Sequence, residues 1–214
     1  MLKIPKISIS NPLNFANSKL RDLKSKLNSH HSGNQLIDPV MILDKAHARA
    51  GMHVADLGCG RLGHIAFPAA TMVGSAGIVY AVDILPDILH DVKRRADDED
   101  ILNIHTVWAD LENYGKTAIP ARSLQACFFV NVFCQTKGRE VYEKMMKEAI
   151  RLLGEKGRIV VVDWVKSGLP IAPSADHLVN FRDLRVWAVE NGLVVAEEFT
   201  AGKYHHGVVF FKQV

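Results

Sequence analysis

The sequence predicts an α/β protein: a seven-stranded, mostly parallel sheet with helices on both faces, closed by a carboxyl-terminal antiparallel hairpin. Three observations predict it. From residue 36 onward, short apolar runs rich in β-branched residues alternate with longer helical patterns, the rhythm of parallel strands joined by crossover helices. The strand runs are nearly all apolar instead of alternating, as strands covered on both faces must be. The last two extended runs are separated only by a short stretch containing Gly202, which suits a hairpin and leaves no room for a crossover helix.

Taken in order, strands are expected over 53–57, 78–83, 104–109, 126–132 and 158–164. Helices fill the gaps. Pro86 in the first turn starts one over 85–97. Another over 139–153 places Val141, Met145, Ala149, Ile150 and Leu153 on one face and stops at Gly154. A last helix over 175–191 ends at Gly192, and the hairpin strands follow at 193–199 and 207–212. No internal repeat is evident.

Residues 36–214 form the expected domain, and residues 1–35 a basic, partly helical extension. The extension carries Lys3, Lys6, Lys19, Arg21, Lys24 and Lys26 against a single acid, Asp22. Leu20, Leu23 and Leu27 recur at helical spacing among these charges, so a short amphipathic helix can cap the domain or lie on an anionic membrane surface. Turn formers in the segment Asn28-Ser29-His30-His31-Ser32-Gly33-Asn34-Gln35 mark the boundary.

Composition narrows the functional classes. At 214 residues, with 48% hydrophobic and 23% charged side chains, the chain is long enough and apolar enough for one sizeable core. A net charge of +3 gives no general attraction to nucleic acid. The longest apolar runs are too short to span a bilayer, and the start of the chain lacks a secretion-type apolar stretch, so a cytoplasmic protein is expected. Cys59, Cys127 and Cys134 are odd in number without CxxC spacing, which predicts buried reduced thiols and no metal centre.

The most informative stretch is Val54-Ala55-Asp56-Leu57-Gly58-Cys59-Gly60-Arg61-Leu62-Gly63, an apolar strand running into a glycine turn and then a helix. In an open α/β sheet, ligands bind beyond the carboxyl ends of the strands, where glycines let the backbone approach closely. Asp83 ends the second strand twenty residues after Gly63, the spacing at which a carboxylate accepts the hydroxyls of an adenosine ribose. Asp110 ends the third and can accept from a purine amine. The spacing Gly58-Cys59-Gly60-Arg61-Leu62-Gly63 also matches dinucleotide sites, but Asp56 beside the turn favours a cation over a pyrophosphate.

These residues, with Val79-Tyr80-Ala81-Val82-Asp83, resemble the class I S-adenosylmethionine-dependent methyltransferases, especially the small-molecule branch that includes the quinone and arsenite methyltransferases. The resemblance runs through Asn103-Ile104 to Asp110-Leu111, Phe129-Val130-Asn131-Val132-Phe133 and Arg151-Leu152-Leu153-Gly154-Glu155-Lys156-Gly157-Arg158, and covers residues 36–214. It implies a Rossmann-like fold and S-adenosylmethionine as cofactor. It also implies roles by position: Gly58, Cys59, Gly60 and Gly63 for the methionine part, with Asp56 beside them; Asp83 and the adjoining Ile84 for the ribose; Asp110 and Leu111 for the adenine; Asn131 on the methyl-transfer face.

The turn departs from the usual Gly-x-Gly-x-Gly. Leu62 stands where the third glycine normally does, and Arg61 adds a cation near a cationic donor, so the loop is expected to bulge outward with Gly63 taking over. Methyl transfer is an in-line displacement that depends chiefly on holding acceptor and methyl in near-attack geometry. Where an acceptor needs deprotonation, Asp163 is the first candidate base because it ends the fifth strand; His64, His177, Tyr204, His205 and His206 are also available. The expected acceptor is a small, partly apolar molecule, since Leu169-Pro170-Ile171-Ala172-Pro173 can wall its pocket. Two alternatives stay open: a non-catalytic binding or assembly module of the same fold with an altered turn, and a nicotinamide-dependent oxidoreductase.

Overall fold

The computed structural model describes residues 36–136, 138–166 and 168–213. The basic amphipathic stretch expected near the start of the chain lies outside these residues. Helix α1 (Pro39–Lys45) opens the described chain, with Asp38 Oδ1 accepting the Val40 amide at 2.9 Å and Pro39 occupying the first helical position, where no amide is needed. Then come β1 (His53–Leu57), α2 (Ala66–Val73), β2 (Ile78–Asp83), α3 (Pro86–Asp98), β3 (Ile104–Trp108), β4 (Leu124–Val130) and α4 (Arg139–Leu152). The chain closes with β5 (Leu153–Trp164), α5 (Phe181–Glu190), β6 (Leu193–Gly202) and β7 (His205–Lys212).

The seven strands form one sheet in the order β3-β2-β1-β4-β5-β7-β6. Strands β1 to β5 pair in parallel, whereas β7 runs antiparallel to both β5 and β6. The chain therefore winds outward from β1 to β3, then returns to place β4 on the other side of β1. That reversal puts the topological switch point at the carboxyl ends of β1 and β4, the position at which this class of sheet binds ligands.

Alternation along the central strands feeds two cores. Cys127, Phe129, Ile159 and Val161 face the side covered by α4 and α5, among Met146, Ala149, Leu152, Leu184 and Ala188. Ala126, Phe128, Val160 and Val162 face the side covered by α1, α2 and α3, among Leu43, Ala69, Val73 and Val92. Each fully buried phenylalanine contributes roughly 1.5–3 kcal/mol of apolar transfer.

Several boundaries differ from expectation: β3 ends at Trp108, β6 runs on to Gly202 and β7 starts at His205, and three more differ for a plain local reason. Strand β4 stops at Val130 because Asn131 turns into the left-handed region (φ 58°). Helix α5 begins at Phe181 because Asn180 caps it, its Oδ1 accepting the Arg182 and Asp183 amides, while Ala175–His177 form only a 3-10 turn. Strand β5 starts as early as Leu153, which pairs with Leu124 across a register shift. Among the described residues, no helix is long and apolar enough to cross a membrane.

Candidate active site

The chain leaves β1 through Gly58 (φ 83°), whose amide and that of Cys59 both donate to the Val82 carbonyl, at 2.8 and 2.9 Å. A Cβ at Gly58 would lie 2.7 Å from Val132 Cγ2, and one at Gly63 (φ 54°) 2.8 Å from the Phe67 ring. Gly60 (φ 62°) is different: nothing lies within 4 Å of its Cβ position. Two glycines thus let the turn pack, and the third leaves open space beside the backbone.

The additional residue in the turn points outward. Leu62 is exposed, and its carbonyl accepts from Arg95 Nη1 at 3.0 Å. The Arg61 guanidinium pairs with Asp91 on α3, a carboxylate that it shares with Arg94. The longer loop is tied to α3, and Gly63 closes the turn through its amide on the Gly60 carbonyl at 3.1 Å.

Asp56 lies in β1 and Asp83 ends β2, whereas Asp110 stands two residues beyond the end of β3 instead of ending it. Asp56 is 2% exposed, and its Oδ2 accepts the Ala66 amide at 3.0 Å. Burial pushes its carboxyl up to about 7, with the charge of Asp83 adding to the effect and the amide bond opposing it. Asp83 Oδ2 accepts the Gly60 amide at 3.1 Å and Oδ1 the Leu85 amide at 3.0 Å, so it braces the glycine turn and the start of α3 together. Beside it Ile84 and Leu85 are exposed, an apolar flank, and Trp108 Nε1 donates to the Ile84 carbonyl at 2.9 Å. Asp110 is half-buried, with Oδ1 on the Glu112 amide at 3.0 Å and Oδ2 on Asn113 Nδ2 at 2.7 Å, while Leu111 is buried. Each Asp110 oxygen keeps a further lone pair.

Beyond β4, the Asn131 amide donates to the Val162 carbonyl at 2.9 Å, and its side-chain Oδ1 is buried without a partner. Asp163 sits at the end of β5 as expected, but its oxygens are engaged by backbone. Oδ2 accepts the Phe133 and Cys134 amides at 2.9 and 3.3 Å, and Oδ1 the Trp164 amide at 2.8 Å. At 1% exposure, burial raises its pKa and the amide bonds oppose that rise. This is the geometry of a brace between the loop after β4 and β5.

The histidines separate into two groups. His206 pairs with Glu198 at 3.1 Å, and His177 lies 3.9 Å from Asp176. His64 and His205 instead leave buried ring nitrogens unpaired: Nε2 of His64 and both nitrogens of His205. Desolvation lowers the pKa of each, that of His205 to about 4, so its imidazole is neutral at physiological pH. His205 is 1% exposed and packs on Trp164, with ring centroids 4.2 Å apart, opposite the end of β5. Sequence reading named these histidines but could not see that they lack partners, nor that Val132 packs under Gly58; both are facts of packing. The thiols of Cys59, Cys127 and Cys134 are free and buried, and burial pushes each up in pKa.

The residues present fit S-adenosylmethionine. Open space beside Gly60, paired acids at the turn, an apolar flank at Ile84 and a partnerless Asn131 Oδ1 suit a ligand with a cationic sulfonium, an ammonium and an adenosine. They suit a pyrophosphate poorly, because Asp56 and Asp83 would oppose its charge.

Comparison with known proteins agrees. Residues 54–157 match the model of a methyltransferase domain. Over 82 residues the chain is 38% identical to the aklanonic acid methyltransferase DauC of Streptomyces sp. (strain C5), a match covering 38% of this chain and 36% of that relative. The match thus spans little more than a third of the relative's length. Among solved structures, a SAM-dependent methyltransferase from Aquifex aeolicus superposes with a TM-score of 0.74 at 21% identity, over 91% of this chain and 97% of that one. A TehB-like SAM-dependent methyltransferase from Corynebacterium glutamicum gives 0.63 at 20% identity, over 95% and 100%. Residues 54–157 therefore carry a methyltransferase domain, and the strand order around it is that of the Rossmann-like fold these structures share.

Proposed function

We propose that the chain is an enzyme that transfers a methyl group from S-adenosylmethionine to a small organic acid by in-line displacement. The observation that carries this reading is the location of the partnerless buried polar atoms. Among the described residues, His64 Nε2, Asn131 Oδ1 and both ring nitrogens of His205 are the only buried side-chain polar atoms without a hydrogen bond. His64 follows the turn after β1, Asn131 follows β4, and His205 starts β7 opposite the end of β5. A buried polar group left unpaired costs roughly 1–3 kcal/mol. Their gathering at the carboxyl ends of the strands supports a site that ligands complete.

The cofactor, when bound, supplies the activated methyl group. In this reading Gly58, Cys59, Gly60 and Gly63 shape the turn around it, Asp56 supplies negative potential, Asp83 with Ile84 holds the ribose, Asp110 with Leu111 the adenine, and Asn131 lines the transfer face. Asp163 acts as a positioning residue, fixing the loop that carries Phe133 and Cys134.

With that carboxylate engaged and His205 only weakly basic, no strong base is in view among the residues named for the role. An acceptor already ionised at neutral pH needs none, and neutral imidazole N–H groups can donate to its carboxylate. The relative DauC is named for methylating aklanonic acid, itself an acid, which points the same way. The test is calorimetric titration with S-adenosylmethionine, followed by a screen of aromatic and aliphatic acids, aklanonic acid included, with methyl ester detected by mass spectrometry. Donor binding with ester formation is expected. Donor binding with methylation of amines only would overturn the acid acceptor, and no donor binding would overturn the enzyme reading in favour of the non-catalytic module.

A further inference from the structure

A groove at the end of the sheet away from the glycine turn has a cationic lining. It lies at the amino ends of β4 and β5 and holds about 530 Å³, within the usual range for small-ligand sites. Arg122, Lys147, Arg151 and Lys212 line it together with Tyr114 and Ile150, and among the described residues no carboxylate does.

Three of the four cations are anchored. Lys212 Nζ donates to the Ile150 and Leu153 carbonyls, both at 2.8 Å. Burial lowers its pKa, and the charge of Arg122 adds to that, so these like charges stand close together. Arg151 is held from behind by Glu148 Oε1 at 2.6 Å and the Thr117 hydroxyl at 2.7 Å. Arg122 is fixed through its backbone, its amide donating to the Arg151 carbonyl at 3.0 Å. It is held at φ 59°, in the left-handed region that glycine occupies far more readily. A strained arginine, a desolvated lysine and mutual repulsion all oppose stability, and a bound anion would relieve the repulsion.

We infer that this groove is a second ligand site, for a small phosphate-bearing compound with a flat apolar body. A phosphate presents three oxygens and can bridge several cations at once, whereas a carboxylate satisfies fewer. The exposed Tyr114 ring and Ile150 offer the apolar surface against which the rest of the ligand lies. The site is separate from the donor site and does not depend on the methyl-transfer reading.

The experiment is calorimetric titration of the full chain at low salt with inorganic pyrophosphate, uridine monophosphate and uridine. Saturating S-adenosylhomocysteine keeps the donor site filled. Pyrophosphate and the monophosphate are expected to bind, uridine not to bind, and binding to weaken with added salt. Arg122→Gly removes one cation at a backbone position that suits glycine, and Lys147→Glu reverses another on the exposed face of α4. Each is expected to weaken phosphate binding roughly tenfold or more, with the melting temperature of Arg122→Gly unchanged or raised. Uridine binding as well as its monophosphate, undiminished binding by both variants, or no binding of either phosphate compound at millimolar concentration would overturn the site. An oligonucleotide binding far more tightly than the monophosphate would overturn the assignment to a small ligand.

Discussion

The Asp83 carboxylate accepts the Gly60 amide at 3.1 Å, tying the end of β2 to the one glycine of the turn that has open space beside it. Replacing the carboxylate by the neutral amide in Asp83→Asn keeps an acceptor for one backbone partner and removes the charge. Charge-assisted hydrogen bonds contribute about 1.5–3 kcal/mol, so S-adenosylmethionine affinity is expected to fall roughly 10-fold to 150-fold. Calorimetric titration of the variant checks this, and an undiminished affinity would remove Asp83 from the site.

Gly60 and Gly63 are expected to fail in different ways. Gly63→Ala drives a Cβ to 2.8 Å from the Phe67 ring at a positive φ, so urea denaturation should show a loss of about 1–3 kcal/mol. Gly60→Ala meets no atom of the protein and is expected to cost only about 1 kcal/mol from its φ of 62°. The added methyl does enter the space assigned to the donor, so binding should fall far more than stability. A Gly60→Ala variant that binds the donor normally would show that this space is not used.

Much of this arrangement was legible in the sequence, because hydrophobic period and turn chemistry act locally. The strands carrying Asp56 and Asp83 begin and end where their apolar runs do, and Pro86 and Gly58 mark real boundaries. Asn180 carried the signal for the true start of α5, with Asp183 three residues on, but the apolar pattern before it read as continuous helix. What local patterns cannot hold is partner choice. That Asp163 would be claimed by three backbone amides, or that Arg61 would find Asp91, depends on where distant loops come to rest.

Asp163→Asn tests the distinction between brace and base. The amide nitrogen would have to face backbone N–H donors on one side, leaving at least one of the Phe133, Cys134 and Trp164 amides unsatisfied. A loss of about 1–3 kcal/mol in urea denaturation is expected, with the loop after β4 loosened. Asp163→Ala should lose at least as much. Wild-type stability in both variants would refute the bracing role and restore the carboxylate as a candidate base.

The pH dependence of stability sets His205 against Asp56. The folded His205 titrates near 4 against an ordinary 6.5, so between these values the unfolded chain binds more protons and stability is lost as pH falls. Asp56 titrates near 7 when folded against 3.8, so the folded chain binds more protons and stability is lost as pH rises through that window. The two slopes oppose each other between pH 4 and 6.5 and partly cancel in the native protein. Single substitutions separate them. His205→Phe is expected to raise stability by about 2 kcal/mol more at pH 5 than at pH 8. Asp56→Asn, which keeps an acceptor for the Ala66 amide, should raise it by about 2–3 kcal/mol more at pH 8 than at pH 5. Urea titrations at the two pH values measure both differences. Equal effects at both pH values would mean that neither group is desolvated in the folded state as its burial requires.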